Sequence, residues 1–166
     1  MQEDKQRWNE RYLDNPMPQT VSPLVEKYIS HAKVGQAIDV ACGTGRNTHF
    51  LADLGFLVDA VDISDYALGK VKKGSTITKI DADLDKYNLA PNKYDLIVNV
   101  NYLNRRLVSQ MKEALRSGGV LMFETFIVAH GDFNLPTTNL DYLLRKNELL
   151  HSFIGLDVIY YEERID

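Results

Sequence analysis

Two glycines separated by one residue mark a turn in the segment DVACGTGRN, residues 39–47. The turn lies between an apolar, strand-like run and a helix-like run, an arrangement typical of nucleotide-binding sites. A dinucleotide fingerprint has a third glycine three residues after the second, whereas Thr48 stands there in this chain. Asp39 adds a negative charge, which would repel a pyrophosphate and attract a cation. The turn therefore favours a nucleoside that carries positive charge and no phosphate.

S-adenosylmethionine has these properties, because it carries an ammonium and a sulfonium group and lacks phosphate. Gly43 and Gly45 permit positive φ angles and a close approach of the backbone to the ligand. The Asp39 carboxylate would compensate the ammonium directly or through water. A generic turn between a strand and a helix, and a nicotinamide-binding fold with a degenerate motif, are the other interpretations.

The pattern D-x-x-C-G-T-G followed by a helix resembles motif I of the class I S-adenosylmethionine-dependent methyltransferases. The resemblance implies a Rossmann-like fold and S-adenosylmethionine as the cofactor. It also implies that the cofactor contacts the residues in and around the turn, which are Asp39, Ala41, Gly43, Gly45 and Asn47.

A second acidic residue, Asp62, ends the next strand-like run, 19 residues after Gly43. A carboxylate about 20 residues past such a turn accepts hydrogen bonds from the two ribose hydroxyls. Ile63 would then pack on the adenine face. The alternative is that Asp62 merely caps the following helix, although Ser64 and Asp65 are nearer to that helix.

The third strand is followed by IDADLD, residues 80–85. In the methyltransferase family an acidic residue here binds the adenine amino group, and the next backbone N–H binds a ring nitrogen. Alignment on A-D-L implies that these are Asp83 and Leu84. Asp81 and Asp85 are close rivals, and an exposed acidic turn without a ligand is the alternative.

The fourth strand ends in N-V-N-Y, where methyltransferases of DNA and of protein amides carry D/N-P-P-Y. Both prolines are absent here, which argues against methylation of exocyclic amines. We expect Asn99, Asn101 and Tyr102 to border the methionine part of the cofactor and its methyl group. Packing of Tyr102 in the core is the alternative.

Three further stretches are similar to small methyltransferases of the tellurite-resistance type: WNERY (8–12), LNRRL (103–107) and MFETF (122–126). This similarity implies that residues 1–20 form a lid over the cofactor. Arg11 would pair with the methionine carboxylate, while Trp8 and Tyr12 would exclude water. Alternatively, these two rings dock on the core as part of an amphipathic helix and Arg11 is solvated.

The substrate side of the site would be lined by Arg105, Glu124 and Phe126. Arg105 would anchor an anionic acceptor, or else belong to the solvated face of a helix. Tyr102 and His130 are the candidate catalytic residues, although a loop histidine more often has no catalytic role. We find no Ser-His-Asp, Cys-His or paired-carboxylate arrangement, so the catalytic base, if any, is unknown.

The expected function is methyl transfer to a small-molecule acceptor that is already nucleophilic near neutral pH. Thiols, chalcogen oxyanions, carboxylates and phenolates meet this condition. The alternative is a module that binds S-adenosylmethionine with weak or no catalytic activity.

The composition restricts the kinds of partner, compartment and site that the protein could have. The 166 residues are 45% hydrophobic and 25% charged, which predicts one domain over residues 1–166. The net charge of −4 and pI of about 5.6 argue against nucleic acid as a partner. The polar N-terminus, the lack of a long apolar run and the single cysteine predict a cytoplasmic protein with no membrane span and no disulfide. Histidines and carboxylates show no metal-ligand spacing.

Strand-like and helix-like runs alternate, which predicts a doubly wound, mostly parallel sheet in a three-layer α/β/α arrangement. The predicted strands are 37–41, 56–62, 75–81, 94–100, 118–126 and 156–165. The predicted helices are 21–33, 46–55, 65–74, 104–119 and 140–153.

These strands number six, whereas the family fold has seven, the last inserted between strands five and six. We therefore expect the seventh strand to be lacking and an edge of the sheet to be exposed. An exposed edge invites pairing with another chain, so we expect a homodimer through that edge.

Overall fold

A computed structural model of the protein describes residues 2–15, 17–128 and 139–164. In these ranges the chain forms a parallel sheet with the strand order β3-β2-β1-β4-β5. The strands are β1 (Gln36–Val40), β2 (Leu57–Asp62), β3 (Ile77–Asp81), β4 (Tyr94–Val100) and β5 (Leu115–Glu124). The helices are α1 (Gln2–Asp14), α2 (Pro23–Tyr28), α3 (Arg46–Asp53), α4 (Asp65–Lys70), α5 (Leu107–Ala114) and α6 (Glu148–Ser152).

Both faces of the sheet are buried, which explains why its central strands are continuous apolar runs rather than alternating ones. On one face, Ile38 and Ile97 pack with Leu107 and Met111 of α5. On the other face, Ala37, Val58 and Leu96 pack with side chains of α2 and α3. Helices therefore cover both faces, and the predicted three-layer α/β/α class is confirmed.

The strand order reverses between β1 and β4, because β2 and β3 follow on one side of β1 while β4 and β5 lie on the other. In open α/β sheets, ligands bind outside the carboxyl ends of the strands at such a switch point. The turn after β1, the end of β2 and the end of β4 all meet there. These are the places where the sequence predicts cofactor-binding residues.

The helix predicted over 104–119 is shorter than expected. It ends at Ala114, and β5 begins at Leu115. The Ser-Gly-Gly segment does not terminate a helix but lies in a bulge, since Tyr94 pairs with Leu115 while Leu96 pairs with Val120. Gly119 is packed so closely that a Cβ there would lie 3.0 Å from the Tyr94 carbonyl oxygen. Helix-stop and bulge signals use the same residue types, which caused the error.

Three other predicted elements are also corrected. The helix predicted over 21–33 is α2 followed by a 3₁₀ turn, and the one predicted over 140–153 is a 3₁₀ turn followed by α6. The strand predicted over 156–165 is wrong for residues 156–164, which form no strand. This segment is held by side chains, with Tyr160 stacked on Tyr28 at 4.8 Å between ring centroids. Without a hydrogen-bonded neighbour, an apolar extended run does not become a strand.

Within the described ranges, β5 pairs on one side only, with β4. Nearby, Ile154, Val158 and Ile159 are exposed by 75%, 63% and 55%. Self-association through this edge stays a prediction: light scattering at micromolar concentration should give a dimer mass, and a strictly monomeric species would contradict it. No helix in the described part of the chain is long and apolar enough to cross a membrane.

Candidate functional site

The turn between β1 and α3 has an unusual backbone. Ala41, Gly43 and Gly45 all have positive φ angles, of 54°, 55° and 85°. A Cβ on Gly43 would lie 2.9 Å from the Tyr12 hydroxyl oxygen, and one on Gly45 would lie 2.9 Å from Val71 Cγ2. Both glycines are therefore needed for conformation and for space, and the turn exposes backbone rather than side chains to whatever lies above it.

Asp62 ties this turn to the end of β2. One carboxylate oxygen accepts from the Gly43 N–H at 2.8 Å, and the other accepts from the Ser64 N–H at 2.8 Å. The side chain is almost fully buried, and this burial raises its pKa above the usual range. The cap of α4 is Ser64, whose hydroxyl oxygen accepts from the Ala67 N–H at 3.0 Å. Asp62 is therefore a constituent of the turn and not a helix cap.

Asp39 is buried at the carboxyl end of β1, with 2% of its surface exposed. Thr48, at the position of the missing third glycine, donates its hydroxyl to Asp39 Oδ2 at 2.7 Å. Burial raises the pKa of Asp39 to about 7, against the opposing effect of this hydrogen bond. The site thus holds a carboxyl group that changes charge near neutral pH.

Asn99, near the end of β4, is fully buried. Its Nδ2 donates to the Tyr102 carbonyl at 2.7 Å, which fixes the orientation of the amide because a carbonyl only accepts. Its Oδ1 has no partner among the described residues. A buried acceptor without a donor is costly, so Asn99 Oδ1 is suited to receive a donor from a ligand.

The residues that follow β4 continue this wall of the site. Asn101 is exposed and has a positive φ of 58°. Tyr102 is half-buried, and its hydroxyl accepts from Asn104 Nδ2 at 3.3 Å. Burial raises the pKa of Tyr102 to about 12, so the phenol keeps its proton at neutral pH.

Asp83 and Leu84 lie in the turn after β3. The Asp83 carboxylate accepts from the Asp85 N–H at 3.0 Å, and Leu84 is buried with its carbonyl bound by Arg106 at 2.9 Å. Ile63 is half-buried next to Asp62. These positions are compatible with an adenine site, and the individual roles stay predictions.

Helix α1 covers the site. Its Trp8 and Tyr12 rings lie 6.0 Å apart between centroids, and the exposed Arg11 places its guanidinium 5.1 Å from the Trp8 ring. On the same helix, Lys5 reaches Asp81 at the end of β3, and Asn9 reaches Asp65 at the start of α4. Neither residue was predicted from the sequence, although their spacing from Tyr12 is that of one helix face.

Several predicted residues are engaged in structural contacts instead. Arg105 binds both carboxylate oxygens of Glu148, at 2.6 and 3.0 Å, and the carbonyls of Asp141 and Leu143. It fastens the C-terminal segment to the start of α5, and it would have to leave these partners to anchor a substrate.

Asn47 and Glu124 both contact Ser22, which precedes α2, and their roles toward cofactor and substrate stay predictions. Asn47 Oδ1 accepts from the Ser22 N–H at 2.9 Å, and Glu124 accepts from the Ser22 hydroxyl at 3.1 Å. Phe126 is 43% exposed, while His130 lies outside the described residues. Cys42 packs with Ala60, and burial raises the pKa of its thiol.

The requirement for glycine in the turn is testable. Changing Gly45 to Ala places a Cβ at positive φ against Val71, and we expect a loss of about 2 kcal/mol or more in the free energy of unfolding. Gly69→Ala is the matched control, because nothing lies within 4 Å of a Cβ in that helix and alanine should be neutral or stabilising. Equal denaturation midpoints for the two variants would show that the turn tolerates side chains.

Residues 37–119, half of the chain, match the family described as methyltransferase domain. The chain belongs to this family. The match begins in β1, covers the glycine turn, Asp62 and Asn99, and ends at Gly119 in β5. The resemblance noted for motif I is thereby confirmed, and the cofactor of this class is S-adenosylmethionine.

Named relatives agree with this assignment. The probable S-adenosyl-L-methionine-dependent methyltransferase TehB of Haemophilus influenzae is 27% identical over 152 residues, covering 84% of this chain and 51% of the relative. The ribosomal protein L11 methyltransferase of Campylobacter lari is 26% identical over 119 residues, covering 68% of this chain and 42% of the relative. The chain thus spans about half the length of the relatives that it matches.

Solved structures share the fold. The TehB structure from H. influenzae superposes with a TM-score of 0.75 at 20% identity, covering 94% of this chain and 58% of the other. A methyltransferase from Mesorhizobium loti, described as S-adenosylmethionine-dependent, superposes with a TM-score of 0.55 at 26% identity. The superposition covers 61% of this chain and 53% of the other. The superpositions show the shared fold, and the 27% sequence identity to the TehB relative fits the branch indicated by WNERY, LNRRL and MFETF.

Proposed function

We propose that this chain binds S-adenosylmethionine at the switch point of the sheet and transfers its methyl group to a small-molecule acceptor. The observation that carries the proposal is the position of Asp62. Its buried carboxylate is hydrogen-bonded to the glycine turn at the carboxyl end of the sheet, where a ribose would need an acceptor for its hydroxyls.

The residues present fit the cofactor in two respects that do not depend on family. The turn is built of two glycines at positive φ, so it presents backbone rather than side chains of its own to a ligand. Asn99 Oδ1 is a buried acceptor with no partner among the described residues. We assign it to the ammonium of the methionine part, with Asp39 supplying negative charge nearby.

The adenosyl part would be held by the loops after β2 and β3. Asp62 would accept from the ribose hydroxyls, Asp83 and the Leu84 N–H would bind the adenine edge, and Ile63 would pack on its face. Trp8 on α1 would exclude water from above.

S-adenosylmethionine supplies an electrophilic methyl carbon on a sulfonium. The chain's contribution is to hold an acceptor in line with that carbon in a dry site, and such positioning can lower a barrier by up to roughly 10 kcal/mol. Tyr102, with its pKa raised to about 12, keeps its proton and does not act as a base at neutral pH. The acceptors most compatible with the site are therefore already nucleophilic, such as thiols, chalcogen oxyanions, carboxylates and phenolates.

An acceptor panel tests this proposal. Release of S-adenosylhomocysteine would be measured with thiols, selenite- and tellurite-type oxyanions, carboxylates, amines and RNA, using Asp62→Asn protein as the background control. Turnover is expected with one of the first three groups. Turnover with amines or RNA alone would reject the assignment of the acceptor, and the net charge of −4 already disfavours nucleic acid.

A second candidate function is cofactor binding without catalysis. It is favoured by the substrate side, where Arg105 and Glu124 are engaged in contacts within the chain and β5 pairs on one side only within the described ranges. Stoichiometric binding of S-adenosylhomocysteine with no turnover on any acceptor would support this second function over the first.

A further inference from the structure

The Asp62 carboxylate is covered by the chain itself. Only 3% of the residue is exposed, although it stands at the end of β2 where the sheet opens. Tyr12 of α1 lies beside this carboxylate: its own burial, and after that the charge of Asp62, raise the pKa of its hydroxyl. The Tyr12 hydroxyl oxygen lies 2.9 Å from the Cβ position of Gly43, and the Gly43 N–H donates to Asp62. Tyr12 therefore packs on the glycine turn next to the carboxylate.

These contacts match those proposed for the cofactor's ribose. A phenol hydroxyl and a ribose hydroxyl both donate to a carboxylate, and Asp62 already accepts from two backbone N–H groups. The space directly above Gly43 is filled by the Tyr12 ring, whose Cε1 and Cζ lie 3.3 and 3.4 Å from the Cβ position. Tyr12 and an adenosyl ligand cannot occupy this place together.

We infer that Tyr12 is an affinity-determining latch: its hydroxyl stands in for the ribose on Asp62, and an adenosyl ligand binds only after α1 has released the carboxylate. The inference rests on the proposed function, because it assigns Asp62 to the ribose. A lid that only adds contacts to the bound cofactor would strengthen binding, whereas this latch weakens it.

The remaining contacts of α1 are of a kind that permits release. Lys5 Nζ lies 2.6 Å from Asp81 and 3.3 Å from Asp65, and both carboxylates are at least half-exposed. Asn9 accepts from the Ser64 hydroxyl at 2.5 Å and donates to Asp65 at 2.8 Å. Exposed ion pairs contribute little individually and are screened by salt. The Lys5 ion pairs therefore hold α1 only weakly, and the part-buried bond from Ser64 to Asn9 and the packing of Tyr12 hold it as well.

The latch predicts the direction in which two substitutions change the affinity for S-adenosylhomocysteine. If the binding-competent state is only fractionally populated, the apparent dissociation constant is the intrinsic one divided by that fraction. Tyr12→Phe removes the hydroxyl that lies against Gly43 beside Asp62, and affinity for S-adenosylhomocysteine should rise about tenfold. Lys5→Gln loosens α1 without touching the carboxylate, and it should give a smaller gain that disappears at high salt.

Calorimetric titration of the full chain with S-adenosylhomocysteine tests the latch, with Tyr28→Phe as the control for loss of a hydroxyl elsewhere. Fluorescence of Trp8, the chain's single tryptophan, should change on binding as α1 moves. Binding by wild type with equal or weaker binding by Tyr12→Phe overturns the latch alone. No binding by either protein, with native circular dichroism, overturns the proposed function together with it.

Discussion

Replacing Asp62 with Asn is expected to lower the affinity for S-adenosylhomocysteine by about 100-fold or more. The change removes the negative charge that would bind the ribose hydroxyls, and a charged hydrogen bond is worth about 1.5–3 kcal/mol. The amide also fits its neighbours poorly, because the Gly43 and Ser64 N–H groups both donate to the carboxylate. An amide has one accepting oxygen, so one of these buried donors loses its partner. Calorimetry on the folded variant measures the effect.

Asp59→Asn is the matched control. Asp59 lies on the same strand, is also buried, and binds Lys93 at 2.6 Å and the Tyr94 hydroxyl at 2.7 Å. This substitution should cost stability, by about 1–3 kcal/mol, and leave ligand affinity unchanged. Equal losses of affinity in the two variants would mean that Asp62 acts through folding rather than through contact with the ligand.

Replacing Asp39 with Asn is expected to stabilise the folded protein above pH 7. In the folded state burial raises the pKa of Asp39 from 3.8 to about 7, so the folded chain holds this proton more tightly than the unfolded chain does. Stability from this group is therefore fully present below about pH 4 and is lost as the pH rises through 7. A shift of this size corresponds to about 4 kcal/mol, which the uncharged amide would restore.

Denaturant titrations at pH 5 and pH 8 measure this difference. The advantage of Asp39→Asn over wild type should be larger at pH 8 than at pH 5. The same variant should bind S-adenosylhomocysteine more weakly at pH 8, because the ammonium loses its opposing charge. Wild-type affinity should fall as the pH drops through 7 for the same reason. A variant that is less stable than wild type at pH 8 would contradict this account of Asp39.

The cofactor half of the site could be predicted from sequence because its chemistry is local. The glycine turn needs positive φ at fixed positions. The number of residues between Gly43 and Asp62 is set by the one helix and the one strand that connect them. Each of these constraints leaves residue types at defined spacings. The strands of the core could also be predicted from the sequence, because a sheet buried on both faces requires continuous apolar runs.

The substrate half could not be predicted, because its contacts join residues far apart in the chain. Arg105 pairs with Glu148, 43 residues away, and nothing in LNRRL distinguishes this pair from an anion site. The bulge at Gly119 depends on the approach of Tyr94, and the contact of Tyr12 with Asp62 depends on how α1 docks. Such tertiary contacts have no signature in local patterns.

The site is expected to select an adenosyl compound that carries an ammonium group and no phosphate over nucleotides that carry phosphate. Its most direct test is competitive calorimetry of the wild-type chain with S-adenosylhomocysteine, NADH and ATP at pH 8. We expect one molecule of S-adenosylhomocysteine bound per chain and no measurable binding of either phosphate compound. Tighter binding of NADH, or no affinity for S-adenosylhomocysteine in properly folded protein, would contradict it.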